Sequence, residues 1–127
     1  MSVVLDASAL VAFLPGESGS PVVSRALKGA LVSSVNWSEV LQKAVDRSVD
    51  VEGMQQEFID LGVNFEPFSR CHAEIAARLG PDARTHGLFL ADRACLALGI
   101  DRNLPILAAD RAWRKLGLDL EIRLVPV

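Results

Sequence analysis

The chain has 127 residues, of which 50% are hydrophobic and 23% are charged, and its formal net charge is −3. This length suits one domain, and the composition is too apolar for an intrinsically disordered protein. The negative charge argues against a protein whose whole surface binds nucleic acid. The apolar runs are shorter than the roughly 18 residues of a membrane span, and no secretory signal is visible. We therefore expect a soluble, cytoplasmic protein with no membrane partner.

The first half of the chain predicts strands that alternate with helices. A short β-branched run ends at Asp6, and the next apolar stretch stops at Pro15-Gly16. Ser20 is placed to cap a helix that has Pro21 in its first turn. From Trp37 onward, Val40, Leu41, Ala44 and Val45 recur at helical spacing, and Lys43 turns outward with its polar neighbours. The predicted elements are a strand over 3–5, helices over 8–14 and 21–28, a strand over 30–34 and a helix from 37.

The second half continues the alternation. Residues 82–87 are polar, and the apolar helix that follows them is expected to end at Gly99. The predicted elements are helices over 53–61, 69–79, 88–98 and 111–116, and strands over 63–68, 105–109 and 121–125. This order predicts an α/β fold with a mainly parallel central sheet, built as one domain over residues 1–127.

Four carboxylates stand where a predicted strand ends or a predicted helix begins. They are Asp6, Glu39, Asp92 and Asp110. Each has a local explanation: Asp6 and Asp110 suit helix N-caps, and Asp92 suits the positive end of a helix. Glu39 follows Asn36 at the spacing of a capping box. For a single residue, the structural and the functional interpretation are about equally good.

The joint arrangement favours a metal site. In a parallel α/β sheet these junctions lie along one edge, where ligands bind. Clustered, partly desolvated anions repel each other unless protons or cations neutralise them. Oxygen ligands favour Mg²⁺, or Mn²⁺, over zinc.

Other motifs carry less information. No Gly-rich phosphate loop or nucleophile elbow is present. Cys71 and Cys95 lack metal or redox spacing and are expected to be buried small hydrophobes. His72 and His86 are expected to be ordinary surface or half-buried histidines. A basic cluster is interpreted as a solvated helix face in preference to phosphate contacts. Its members are Arg93, Arg102, Arg111, Arg114 and Lys115.

Four segments contain the four acids in chain order. They are Val4-Leu5-Asp6-Ala7-Ser8-Ala9-Leu10, Val35-Asn36-Trp37-Ser38-Glu39-Val40, Leu90-Ala91-Asp92-Arg93-Ala94-Cys95-Leu96-Ala97-Leu98 and Ala108-Ala109-Asp110-Arg111-Ala112-Trp113. Together they resemble the PIN-domain endoribonucleases, and in particular the VapC-type toxins of bacterial toxin-antitoxin pairs. The resemblance covers nearly the whole chain, and the order and separation of its segments agree with the family.

The resemblance implies a three-layer α/β/α PIN domain and a metal-dependent ribonuclease toxin. It implies catalytic and metal-binding roles for the four acids, with Asp6 and Asp92 as the strongest candidates for direct ligands. Ser8 and Asn36 match polar positions that orient a carboxylate or a water molecule. A homodimer and a VapB-type antitoxin that covers the active site are expected as well.

Two alternatives stay open. One is a carboxylate-based phosphatase or phospho-acceptor domain, although such a site usually needs a lysine, and no lysine closely follows a predicted strand end. The other is a catalytically weak PIN module that only binds RNA or its antitoxin. The presence of all four acids makes this binding module the weaker hypothesis.

Overall fold

The structure, a computed structural model, describes residues 2–17, 19–108 and 121–124. Within these ranges five strands alternate with seven helices. The strands are β1 (Val4–Leu5), β2 (Leu31–Ser33), β3 (Asn64–Glu66), β4 (Ile106–Ala108) and β5 (Ile122–Leu124). The helices are α1 (Ala7–Val11), α2 (Pro21–Ala26), α3 (Ser34–Asp46), α4 (Met54–Asp60), α5 (Arg70–Arg78), α6 (Gly80–His86) and α7 (Leu90–Arg102).

The five strands form one sheet in the order β3-β2-β1-β4-β5, and each neighbouring pair is parallel. The predicted parallel α/β sheet is therefore confirmed. The chain moves from β1 to β2 and β3 on one side, and it then crosses to β4 and β5 on the other. This reversal beside β1 is a topological switch point, and ligands of such sheets bind outside the carboxyl ends of the strands there.

Side chains alternate between the two faces of the sheet, and each face has its own core. Val3 and Leu5 pack with residues of α1, α2, α3 and α4, while Val4 packs with α7 and the end of α5. Leu107 joins the first core and Ile106 the second, as the two-residue period of a strand requires. The helices thus cover both faces, which confirms the three-layer α/β/α arrangement.

Helix α3 begins earlier than predicted. Ser33, the last residue of β2, is its N-cap, and the Ser33 hydroxyl accepts a hydrogen bond from the Val35 amide at 3.3 Å. The capping-box interpretation of Asn36 and Glu39 is therefore wrong, because both residues lie inside the helix. They occupy neighbouring turns of one face instead.

Helix α7 does not end at Gly99, as the sequence predicted, but runs to Arg102 and stops at Asn103 in a left-handed conformation. Gly99 is needed for close packing. A Cβ atom there would lie 3.0 Å from the Ile106 side chain and 3.2 Å from the Leu104 carbonyl. The absent side chain lets α7 lie close against β4.

Two smaller differences from the sequence analysis concern residues 82–87 and the apolar face of α3. The polar segment over 82–87, to which the sequence assigned no element, lies largely in α6, with Pro81 suited to the first turn of this helix. Val45 is 62% exposed, and so it does not belong to the apolar stripe of α3. In the described part of the chain, we find no helix long and apolar enough to cross a membrane.

The residues outside the main motifs also differ from expectation. Cys95 is buried as predicted, but Cys71 is exposed. His72 is buried, and its Nε2 lies 2.9 Å from a carboxylate oxygen of Asp101. Arg102 forms surface ion pairs, as a solvated helix face requires. Three other members of the basic cluster (Arg111, Arg114 and Lys115), together with Asp110, the predicted helix over 111–116 and the His86 side chain, lie outside the described residues.

Candidate active site

Asp6 stands at the carboxyl end of β1 and has two structural partners. It is the N-cap of α1, and its Oδ1 accepts a hydrogen bond from the Ala9 amide at 3.2 Å. The Ser8 hydroxyl donates to the same carboxylate, at 2.8 Å from Oδ1 and 2.9 Å from Oδ2. The residue is only 9% exposed. The predicted cap is present, and it holds the carboxylate in a fixed orientation.

The pKa of Asp6 is raised from 3.8 to about 6. Burial is the largest cause, because it removes water from the charged form. The hydrogen bonds from Ser8 and Ala9 lower the pKa and partly oppose that effect, whereas the nearby charges of Glu39 and Asp92 raise it further. Three carboxylates that are far apart in sequence are therefore near enough to repel each other.

Helix α3 supplies one wall of the site. Asn36, Glu39 and Lys43 are spaced three and four residues apart, which places them on one helix face. Asn36 is 1% exposed, and its Nδ2 donates to Glu39 Oε1 at 3.3 Å and to the Ala91 carbonyl at 3.0 Å. The Asn36 amide therefore links α3 to the residue just before Asp92.

Asn36 also carries an unsatisfied atom. Its Oδ1 is buried and, among the described residues, has no hydrogen-bond partner. Buried side-chain oxygens are normally paired with protein or with ordered water. This oxygen is thus available to a water molecule or another donor in the site.

Asp92 lies in the first turn of α7. Its Oδ2 accepts a hydrogen bond from the Phe89 amide at 3.0 Å, which satisfies one of the free N–H groups at the start of the helix. The predicted preference for the positive end of a helix is therefore realised as a direct contact. Arg93, the next residue, is half-buried, and its Nε has no hydrogen-bond partner within the described ranges.

These elements enclose a cleft of about 220 Å³. Five of the six site residues predicted from the sequence line it: Asp6, Ser8, Asn36, Glu39 and Asp92. The sixth, Asp110, lies outside the described residues. The other lining residues are Ala7, Val11 and Lys43.

Lys43 is exposed, as predicted, but the sequence reasoning missed that it also lines the cleft. Its spacing could have shown this. Lys43 follows Glu39 by four residues and Asn36 by seven, and residues at these intervals share a helix face. Among the described residues, the cleft is therefore lined by one cation and three carboxylates.

The donors of the cleft suit a hard divalent cation. They are carboxylate and amide oxygens, and a cation would relieve the repulsion that, together with burial, raises the pKa of Asp6.

In the described ranges, no three acidic, histidine or cysteine side chains are arranged to hold a metal ion. Magnesium sites need fewer protein ligands than that, because they commonly use one or two carboxylates together with water and substrate phosphate.

Cys95 is the remaining reactive group near the acids. Burial raises the pKa of its thiol well above the usual value, and the charges of Asp6, Asp92 and Glu39 raise it further. A thiolate is the nucleophilic form of cysteine, and this environment opposes it. The chemistry of the cleft therefore rests on oxygen groups and Lys43.

Comparisons with known proteins identify the family and the fold of the chain. The family model described as PIN domain matches residues 3–118. No curated protein matches the sequence.

Several solved structures share the fold. FitAcB from Neisseria gonorrhoeae has a TM-score of 0.70 at 19% identity, over 95% of this chain and 96% of that one. VapBC2 from Rickettsia felis, bound to a DNA fragment from its promoter, has a TM-score of 0.70 at 17% identity, over 99% and 100%. VapBC-5 from Mycobacterium tuberculosis, a member of the VapBC family of toxin-antitoxin systems, has a TM-score of 0.59 at 18% identity, over 99% and 98%.

Proposed function

The chain belongs to the PIN-domain family, and we propose that it is a metal-dependent endoribonuclease toxin of the VapC type, with residues 1–127 forming a single PIN domain. One observation carries the proposal. Asp6, Glu39 and Asp92 come from three different elements and line one cleft at the switch point of the sheet. A fold that brings distant acids together at its ligand-binding edge is suited to metal-assisted hydrolysis of a phosphodiester.

The four acids have related roles in this proposal. Asp6 and Asp92 bind the metal directly, while Glu39 and Asp110 bind it as well or position water and a second ion. The metal is Mg²⁺, with Mn²⁺ as a possible substitute, and when bound it supplies charge stabilisation and a more acidic water. Its presence would also lower the pKa of Asp6, because a cation favours the ionised carboxylate.

Ser8 and Asn36 support the acids. The hydroxyl of Ser8 donates to both oxygens of Asp6 and favours the ionised carboxylate. Asn36 holds Glu39 on α3 and the Ala91 carbonyl on α7, so it fixes two walls of the cleft relative to each other. Its free Oδ1 accepts a hydrogen bond from a water molecule in the cleft.

Lys43 contacts the phosphate group of the RNA. The backbone of RNA is anionic, and a cleft lined by three carboxylates repels it unless a cation lies nearby. Lys43 is exposed, and within the described residues it forms no ion pair. Its ammonium group is therefore available to the substrate.

The proposed partners follow from the same cleft. Some of the similar folds come from toxin-antitoxin systems, VapBC-5 among them. An anionic cleft offers a site for a basic side chain of a VapB-type antitoxin, which would cover the acids and block the substrate. We also propose a homodimer, acting in the cytoplasm on cellular RNA.

A carboxylate-based phosphatase is the second candidate, because Lys43 lies in the same cleft as Asp6, which is where a phospho-acceptor site needs its lysine. Against this, a phospho-acceptor site relies on one attacking carboxylate and a lysine, whereas Asp6, Glu39 and Asp92 all line this cleft. Several carboxylates gathered in one cleft suit a metal-assisted hydrolysis better than a single attacking side chain. The geometry therefore favours the nuclease.

The test is cleavage of total cellular RNA by the purified chain with Mg²⁺, with Mn²⁺ or with EDTA. Asp6→Asn and Asp92→Asn should abolish cleavage, and Asp60→Asn should not, because Asp60 is an exposed residue of α4 outside the cleft. We expect discrete fragments only with metal and only from the wild type and the Asp60 control.

Three results would contradict the proposed nuclease activity. Equal cleavage by the wild type and both site variants would show a contaminating activity. Metal-dependent hydrolysis of p-nitrophenyl phosphate, with RNA left intact, would favour the phosphatase. If neither substrate reacts and calorimetry detects no metal binding, the chain is a binding module.

A further inference from the structure

Helix α7 has an unusual N-cap residue. Phe89 is its N-cap, although a phenylalanine side chain cannot accept a hydrogen bond from the helix. Four other described helices have a side-chain acceptor at this position: Asp6, Ser20, Ser33 and Ser69. Local helix chemistry therefore does not explain Phe89.

Burial does not explain Phe89 either. It is 79% exposed, the highest value for a large hydrophobic residue in the described part of the chain. The next residue, Leu90, is 50% exposed and extends the same apolar surface. Exposure of an apolar side chain is by itself common on protein surfaces, as at Val45. Phe89 differs because it also breaks the capping rule at the start of a helix, and such breaks are expected at functional sites.

The position of Phe89 indicates what it binds. Its backbone amide donates to Asp92 Oδ2 at 3.0 Å, so the backbone of Phe89 contacts one of the three acids that line the cleft. The ring does not line the cleft itself, and it lies in solvent next to a residue that does. An exposed aromatic ring at this distance suits a nucleotide that flanks the one in the cleft, because every base has a flat face on which it can stack.

We propose that Phe89 stacks on an unpaired RNA base next to the phosphate that enters the cleft, and that Leu90 extends this contact. The inference rests on the proposed ribonuclease function and adds a substrate-positioning residue to it. Phe89 would choose an unstacked nucleotide, while Lys43 and the acids would act on the adjoining phosphate.

The test uses Phe89→Ser, because serine removes the ring and supplies the missing N-cap. The variant should be at least as stable as the wild type in urea unfolding, so a functional loss cannot come from misfolding. With short single-stranded RNA, its KM should rise by about 5- to 100-fold, as expected for one lost stacking contact, and kcat should change little. Phe89→Trp should keep the wild-type KM. Val45→Ser is the matched control, since it removes an exposed apolar side chain from another helix.

A second measurement separates binding from cleavage. Short single-stranded RNA with fluorescein at one end is added to each protein in EDTA, and the fluorescence anisotropy is recorded to give the dissociation constant. The constant should be the same for the wild type and Phe89→Trp, and it should rise by about 5- to 100-fold for Phe89→Ser. This readout does not depend on catalysis, so it decides the proposal even if the wild type proves inactive and the proposed nuclease function fails.

Two outcomes would overturn the inference. One is an equal dissociation constant and an equal KM for the wild type and Phe89→Ser. The other is a change from dimer to monomer in sedimentation with unchanged RNA affinity, which would make Phe89 a contact between two copies of the chain.

Discussion

Replacing Asp6 by asparagine should stabilise the metal-free protein at neutral pH while it abolishes cleavage. The carboxylate is buried, and its pKa of about 6 shows that the folded chain holds the charged form at a disadvantage. Asparagine has almost the same shape and is an equally good N-cap. Its side-chain oxygen can still accept the hydrogen bond from the Ala9 amide.

The magnitude follows from linkage between protonation and folding. A pKa raised from 3.8 to about 6 corresponds to about 3 kcal/mol between the two protonation states. Between these two pKa values the folded chain binds more protons at Asp6 than the unfolded chain does. The contribution of Asp6 to the free energy of unfolding is therefore highest below pH 3.8 and falls as the pH rises towards about 6. Above that pH this contribution is lost. The asparagine variant has no such loss, so its advantage should grow by about 2 kcal/mol between about pH 4.5 and about pH 8.

The assay is urea unfolding in EDTA across that pH range for the wild type, Asp6→Asn and Asp60→Asn. Asp60→Asn changes the same charge on an exposed helix and leaves the cleft unaltered. Adding Mg²⁺ or Mn²⁺ should then raise the stability of the wild type, because a ligand that binds only the folded state stabilises it, and it should have little effect on Asp6→Asn. The reasoning is refuted if Asp6→Asn is no more stable than the wild type at about pH 8, or if its advantage does not depend on pH.

Three further predictions concern single residues. Ser8→Ala removes the hydroxyl that favours ionised Asp6, so the pKa of Asp6 should rise further and calorimetry should show weaker Mn²⁺ binding. Lys43→Gln should raise KM for RNA and reduce the slope of log affinity against log salt by about one, measured by RNA binding in EDTA at several salt concentrations. Gly99→Ala should destabilise the fold by about 1–3 kcal/mol in urea unfolding, because the added Cβ would lie 3.0 Å from Ile106.

The sequence predicted the sheet and the convergence of the acids for a physical reason. Strands such as residues 3–5 are short and continuously apolar, and they alternate with helical patterns, which is what a doubly covered parallel sheet requires. In such a sheet the carboxyl ends of the strands lie at one edge. Asp6 and Asp92 therefore had to lie near each other once the order of the elements was known.

The errors arose where tertiary packing overrides a local signal. Gly99 looks like a helix end, but it is a contact between α7 and β4, and only the approach of Ile106 reveals this. Asn36 and Glu39 have the spacing of a capping box, but Ser33 caps the helix one turn earlier. Lys43 is solvent-facing, as predicted, but the sequence did not show that its helix face also borders the cleft, because a face beside a cleft is polar just as a face in contact with bulk water is.

The sequence left open whether Asp6 and Asp92 are helix caps or catalytic acids, and in this fold the cap contact and the proposed catalytic role are compatible. Asp6 accepts a hydrogen bond from the Ala9 amide at the start of α1, and Asp92 accepts one from the Phe89 amide at the start of α7. Backbone amides at helix N-termini stabilise negative charge, so they offset part of the repulsion between the acids before any cation is bound. Asp6 still has a raised pKa despite this support, because burial and the neighbouring charges outweigh it. The same contacts that begin the two helices therefore hold the acids in position, and the repulsion that remains is what a divalent cation would relieve.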